Sequence, residues 1–181
     1  MLNLGMNLQR LAAKQVEFTP ASLFNNGEAG VWYDPSAASG SLDWRKNLLE
    51  YTESFDNSAW VKTGASVTAN DTTAPDGTTT ADKIVFDGPS RQLFQDFSSI
   101  SGATASIYIK GTAGQTIKFG LGGAEEVFTL TGGWDRLTKS TTSSATRVTV
   151  NTYGGATART IYVWGAQVEE ASTASSYQPI L

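Results

Sequence analysis

The chain has 181 residues, 13 basic and 17 acidic, for a formal net charge of −4 and a pI near 4.8. That balance argues against a nucleic-acid partner, whose binding is driven by a basic field. With no cysteine and no histidine, disulfides, thiolate zinc sites and the Ser-His and Cys-His nucleophile systems are excluded, and an enzyme is not expected.

Eighteen glycines, a charged fraction of only 17% and abundant Thr and Ser favour strands and turns over long helices. Met1 to Ala13 carries Arg10 as its only charge and lacks the basic and continuous apolar regions of a secretory signal. No run approaches the roughly 18 apolar residues of a membrane span.

Met1 to Lys14 has two readings. Leu2, Leu4 and Leu8 alternate like a strand, whereas Leu4, Leu8 and Leu11 fall at helical spacing before Ala12-Ala13-Lys14. The segment is either a short helix packed on its own domain or an arm that docks its leucines onto a partner. From Gln15 to Leu42, turn signals at Thr19-Pro20, Asn25-Asn26-Gly27 and Asp34-Pro35 separate Leu23-Phe24 from Val31-Trp32-Tyr33. Free linkers lack such anchors, so residues 1–46 read as an arm and anchored connector. Leu2, Leu4, Leu8, Leu11, Phe24, Trp32 and Tyr33 are its expected interface residues.

Asn47 to Trp60 (NLLEYTESFDNSAW) nearly alternates and reads as a first strand followed by a polar turn. Its expected neighbour is Thr160 to Glu170, which would close the ends of the domain on each other. Between them short strands are expected at Ala59–Ala69, Ala81–Phe86, Arg91–Phe97, Ala103–Lys110, Thr116–Leu121, Glu126–Leu130, Trp134–Lys139, Arg147–Tyr153 and Arg159–Val168. Pro75-Asp76-Gly77, Gly122-Gly123 and Gly132-Gly133 turn the chain. Turn signals every 8 to 12 residues, roughly, suit an all-β, two-sheet antiparallel sandwich over residues 47–181. Ile84, Phe86, Ile107 and Ile109 point inward. Trp60 caps the core, and Tyr162 and Trp164, which share a parity, are also expected there.

Four motifs carry a resemblance: NLLEYTESFDNSAW, TAPDGTTTADKI, YVWGAQVEE and the terminal SYQP. In that order they resemble the carbohydrate-binding-module-like β-sandwich domains of tailed-phage virion proteins. The resemblance implies a jelly-roll topology and a structural protein of the virion, decorating the capsid or forming a small appendage. It would be made in the host cytoplasm, attached through residues 1–46 to other virion proteins, and assembled as a homo-oligomer, most simply a trimer. The alternative is a receptor- or host-glycan-binding module of a tail fibre or tip, with Trp134 and Tyr153 as candidate sugar contacts. Related modules hold a structural calcium, for which Glu53, Asp56 and Gln167 are weak candidates. No D-x-D-x-D-G loop supports that ion, and no other cofactor is implied.

Overall fold

A computed structural model describes residues 47–152 and 158–180. The expected arm, with Leu2, Leu4, Leu8, Leu11, Phe24, Trp32 and Tyr33, lies outside the described residues, as does Tyr153.

The described chain holds no helix. It contains eight strands: β1 (Val61–Thr63), β2 (Ala65–Thr72), β3 (Ala81–Phe86), β4 (Gln92–Gly111), β5 (Thr116–Leu121), β6 (Ala124–Thr129), β7 (Trp134–Asn151) and β8 (Arg159–Glu169). All pairings are antiparallel, in the order β2-β3-β8-β4-β7-β5-β6, with β1 added on β4. The ladder is continuous, but it curls into two layers because β4 and β7 are long enough to serve both. The second half of β4 pairs with β8 and with the first half of β7. The first half of β4 pairs with β1 and with the second half of β7, which continues to β5 and β6. One layer is therefore β2-β3-β8-β4-β7 and the other is β1-β4-β7-β5-β6.

The inward positions of both layers form one core. Ile84, Phe86, Ile107, Ile109, Ile161 and Val163 from the first layer meet Leu93, Ile117, Phe119, Leu121, Val148 and Val150 from the second. Trp60 is 1% exposed and packs on Phe55 with ring centroids 4.7 Å apart. The inward assignments of Ile84, Phe86, Ile107, Ile109 and Trp60 hold.

Three expectations are corrected. Asn47–Trp60 is not a strand but a run of bends and turns. Its main-chain groups bond locally, as in Ser54 N to Tyr51 O at 3.1 Å and Asn57 N to Ser54 O at 3.2 Å, so no ladder can form. It does lie against the end of the chain as expected: Leu48 N donates to Val168 O and Ala166 N to Thr52 O. Second, Arg91–Phe97 and Ala103–Lys110 belong to one strand, as do Trp134–Lys139 and Arg147 onward. Third, Tyr162 and Trp164 do share a face, but it is the outward one. Ile161 and Val163 take the main-core positions; Trp164 is buried as expected, but in a second, smaller core with Ala74, Ala81, Tyr108, Trp134 and Tyr177, and Tyr162 is only half-buried.

The tail after β8 runs along that outward face. Arg136 Nη2 donates to Ser175 O at 2.6 Å and Gln178 N to Gln167 Oε1 at 2.7 Å. Ser175 N donates to Glu169 Oε2 at 2.9 Å, and the Tyr177 ring meets Trp164 edge-on at 4.6 Å. Asn47 Nδ2 then donates to Gln178 O, and Thr52 N to Ile180 O, both at 3.0 Å. The tail thus joins the start of the domain to its end.

Candidate functional site

Strand registers place side chains on the outward face of the second layer in transverse rows, because directly paired residues point to the same side. One row is Val61, Phe94, Thr149, Gly120 and Glu125. The next is Thr63, Gln92, Asn151, Lys118 and Val127. On the other side of the first row, Asp96 pairs with Arg147. The face is therefore rich in hydrogen-bonding groups of both signs and poor in aromatic rings.

Its charges are arranged in two clusters. Arg147 donates to both oxygens of Asp96, Nε to Oδ1 at 2.6 Å and Nη2 to Oδ2 at 2.8 Å, and its guanidinium lies 3.8 Å from the Phe94 ring centroid. The Arg147 hydrogen bonds hold the Asp96 carboxyl below the usual carboxylate range, and Asp96 in turn raises Arg147. Across the row, Asn151 Nδ2 donates to Glu125 Oε1 at 2.6 Å, and Lys118 Nζ lies 3.6 Å from Glu125 Oε2. Between the clusters Gly120 is buried, with the side chains of Glu125 and Thr149 closing over it. A Cβ there would stand 2.8 Å from Glu125 Cγ and 3.0 Å from Thr149 Cγ2. The Thr149 hydroxyl beside it, buried, has no hydrogen-bond partner. Fixed carboxylates and a guanidinium on an outward face are groups that read the hydroxyls of a saccharide.

The residues singled out from sequence fall elsewhere. Trp134 is half-buried on the outward face of the first layer, where its indole N–H donates to Thr73 O at 3.2 Å. Glu53 accepts from Tyr177 OH at 3.1 Å. Asp56 is exposed, and its carbonyl accepts from Lys62 Nζ at 2.7 Å. Gln167 is fully buried, its Nε2 donating to Glu169 Oε2 at 2.5 Å. Among the described residues no group of three or more Asp or Glu is placed to hold a metal ion. The rows of the second layer were not singled out from sequence. Their only sequence signal is alternation of polar with apolar residues, and that does not say which strands become neighbours.

No protein-family profile matches the chain, and no curated protein matches it. Solved structures do. An arginine-to-alanine variant of a family 29 carbohydrate-binding module matches with a TM-score of 0.51 and 11% identity, over 75% of this chain and 99% of the other. A lysine-to-alanine variant of the same module gives 0.50 and 11% over 75% and 99%. A family 61 module solved with β-1,4-galactotriose gives 0.49 and 18% over 68% and 97%. At these identities the likeness is one of fold: a carbohydrate-binding-module-like β-sandwich, as the sequence motifs implied. None of these neighbours is a phage virion protein.

Proposed function

We propose that the chain is a glycan-binding module and that the outward face of β1-β4-β7-β5-β6 is its saccharide surface. The observation that carries this is the pair of hydrogen-bonding clusters, Asp96–Arg147 and Glu125–Asn151–Lys118, set on either side of the Gly120–Thr149 pair. A fold shared with carbohydrate-binding modules supports it as an analogy. Recognition is by hydroxyl hydrogen bonds rather than by a stacking platform, since Arg147 already covers the Phe94 ring. No catalytic role is assigned to any residue.

The test is affinity electrophoresis of the full chain through gels containing neutral, acidic and purified bacterial surface polysaccharides. At least one should retard the wild type. Arg147→Ala should lose about tenfold or more in affinity, because a hydrogen bond to a charged group contributes about 1.5–3 kcal/mol. Gly120→Ala should weaken binding as well, because its methyl would displace the Glu125 side chain. If no polysaccharide retards the protein, or both variants bind like the wild type, the face is not the site.

The setting we propose is a tailed-phage particle, on which residues 1–46 attach the module to neighbouring proteins as part of a symmetric oligomer. The four ordered motifs support this reading, together with Phe24, Trp32 and Tyr33 as anchors. Immunogold electron microscopy with antibody to the sandwich should label intact particles. Label on the head would make the module a decoration, label on the tail a receptor-binding part, and absence of label would remove the particle assignment.

A further inference from the structure

We propose that the motif Asn47–Tyr51 builds a second saccharide site, in the cleft where it lies along the bend of β4. The site goes beyond the outward face just described and adjoins it at Asp96. The cavity measures about 530 Å³ and is lined by Leu48, Glu50, Tyr51, Ser98 and Ile100 among others. A second cleft of about 350 Å³ shares Leu48, Glu50 and Ser98 and extends to Asp96. Both lie in the size range of small-molecule sites, roughly 300–1,000 Å³ for a whole ligand.

Three irregularities converge on this cavity. The register between β4 and β7 runs from Asp96↔Arg147 to Ile100↔Ala145, so β4 carries two extra residues there. Such bulges re-aim side chains next to functional sites, and this one puts Ser98 at the cleft. Tyr51 adopts φ +49°, a conformation that a bulky residue holds only when its surroundings enforce it. They do: its carbonyl accepts from Ser54 N at 3.1 Å and from Trp60 Nε1 at 3.0 Å. The third is exposure. Tyr51 is 38% exposed although its neighbours Leu49 and Thr52 are buried.

The polar groups fit the same ligand. Both main-chain groups of Glu50 are tied to the Gln95 amide, N to Oε1 at 2.8 Å and Nε2 to O at 2.9 Å. This fixes the backbone while the Glu50 carboxylate makes no ion pair among the described residues. An exposed phenol ring, an aliphatic wall from Leu48 and Ile100, the Glu50 carboxylate and the Ser98 hydroxyl suit a sugar: its C–H face on the ring and its hydroxyls on the two oxygen groups. The half-open cleft takes a short saccharide or a chain end, whereas the open face of the second layer takes the length of a chain.

The test is titration of the isotope-labelled full chain with methyl β-glucoside, methyl β-galactoside and N-acetylglucosamine at millimolar concentration, followed by amide NMR. At least one sugar should shift Glu50, Tyr51, Ser98 and Ile100 saturably. Glu50→Gln and Tyr51→Asn should each weaken that titration about tenfold. Asn is chosen because it accepts positive φ, and should Tyr51→Asn unfold, Glu50→Gln alone decides. Gly120→Ala should leave the titration unchanged, and the two cleft variants should still bind polysaccharide, so failure of either site is read separately. If no sugar moves these resonances, or if Glu50→Gln titrates like the wild type, the cleft is not a saccharide site.

Discussion

Asp82 and Asp96 sit on opposite sides of the fold and are perturbed in opposite directions. Asp82 points inward from β3, is 1% exposed, and accepts from Phe55 N and Asn70 N, each at 2.8 Å. Burial pushes its carboxyl above the usual 3.8, with the two backbone donors working against the shift. Between 3.8 and the raised folded value the folded chain holds more protons, so this group's contribution to stability falls as pH rises through that window. Asp96, held low by Arg147, contributes stability that is complete above 3.8 and lost as pH falls through its lowered folded value. That contribution is small, because the pair is largely exposed. Carboxyl NMR titration should therefore find Asp82 above 3.8 and Asp96 below it, with Arg147→Ala returning Asp96 toward 3.8. Asp82 titrating at or below 3.8 would refute the burial argument. Asp82→Asn should cost about 1–3 kcal/mol in urea unfolding, because it turns one of two buried acceptors toward an N–H donor.

At the scale of elements, the sequence was most legible where strands are short and bounded by turn chemistry. Ala81–Phe86 and Thr116–Leu121 form as read, since Asp87-Gly88-Pro89 and Gly122-Gly123 stop them. The long strands were not legible. Ser98-Ser99 and Ser143-Ser144 look like breaks, yet the two polar stretches pair with each other: Ser101 opposes Ser144, and the Ser99 and Ser144 hydroxyls meet at 2.7 Å. The Asn47–Trp60 stretch failed as a strand because alternation cannot reveal a residue at φ +49°, and the same residue helps form the cleft. The tail is the element whose importance composition hides. It supplies the partners of Glu169 and Gln167, which are fully buried. Removing residues 172–181 strips those hydrogen bonds together with the Tyr177 contact to Trp164. The truncated chain should lose about 1.5–3 kcal/mol in urea unfolding, the worth of the hydrogen bonds that Ser175 makes to the Glu169 carboxylate. A loss below about 1 kcal/mol, the worth of a single ordinary hydrogen bond, would show that the tail is only draped on the sheet.

At the scale of the molecule, β4 and β7 decide how the sandwich comes apart. A sandwich of two separate sheets can lose one layer's hydrogen bonds while keeping the other's. Here the same two strands run through both layers, and the single core takes side chains from each. The tail and Asn47 close the ends, with Val168 N donating to Asn47 Oδ1 at 3.1 Å. Neither layer can open without exposing the core that both share, and β4 and β7 tether each layer to the other, so residues 47–180 should unfold in one transition. Folding should be slow, in milliseconds to seconds, because the ladder and the end closure join distant parts of the chain. The measurement is urea unfolding of the chain carrying Trp32→Phe and Trp44→Phe, followed by tryptophan fluorescence and far-UV circular dichroism. Trp60 then reports the shared core, and Trp134 with Trp164 reports the outward side of the first layer. Coincident midpoints with single-exponential refolding are expected. Separate midpoints would mean that the two layers melt independently and that the continuous ladder does not couple them.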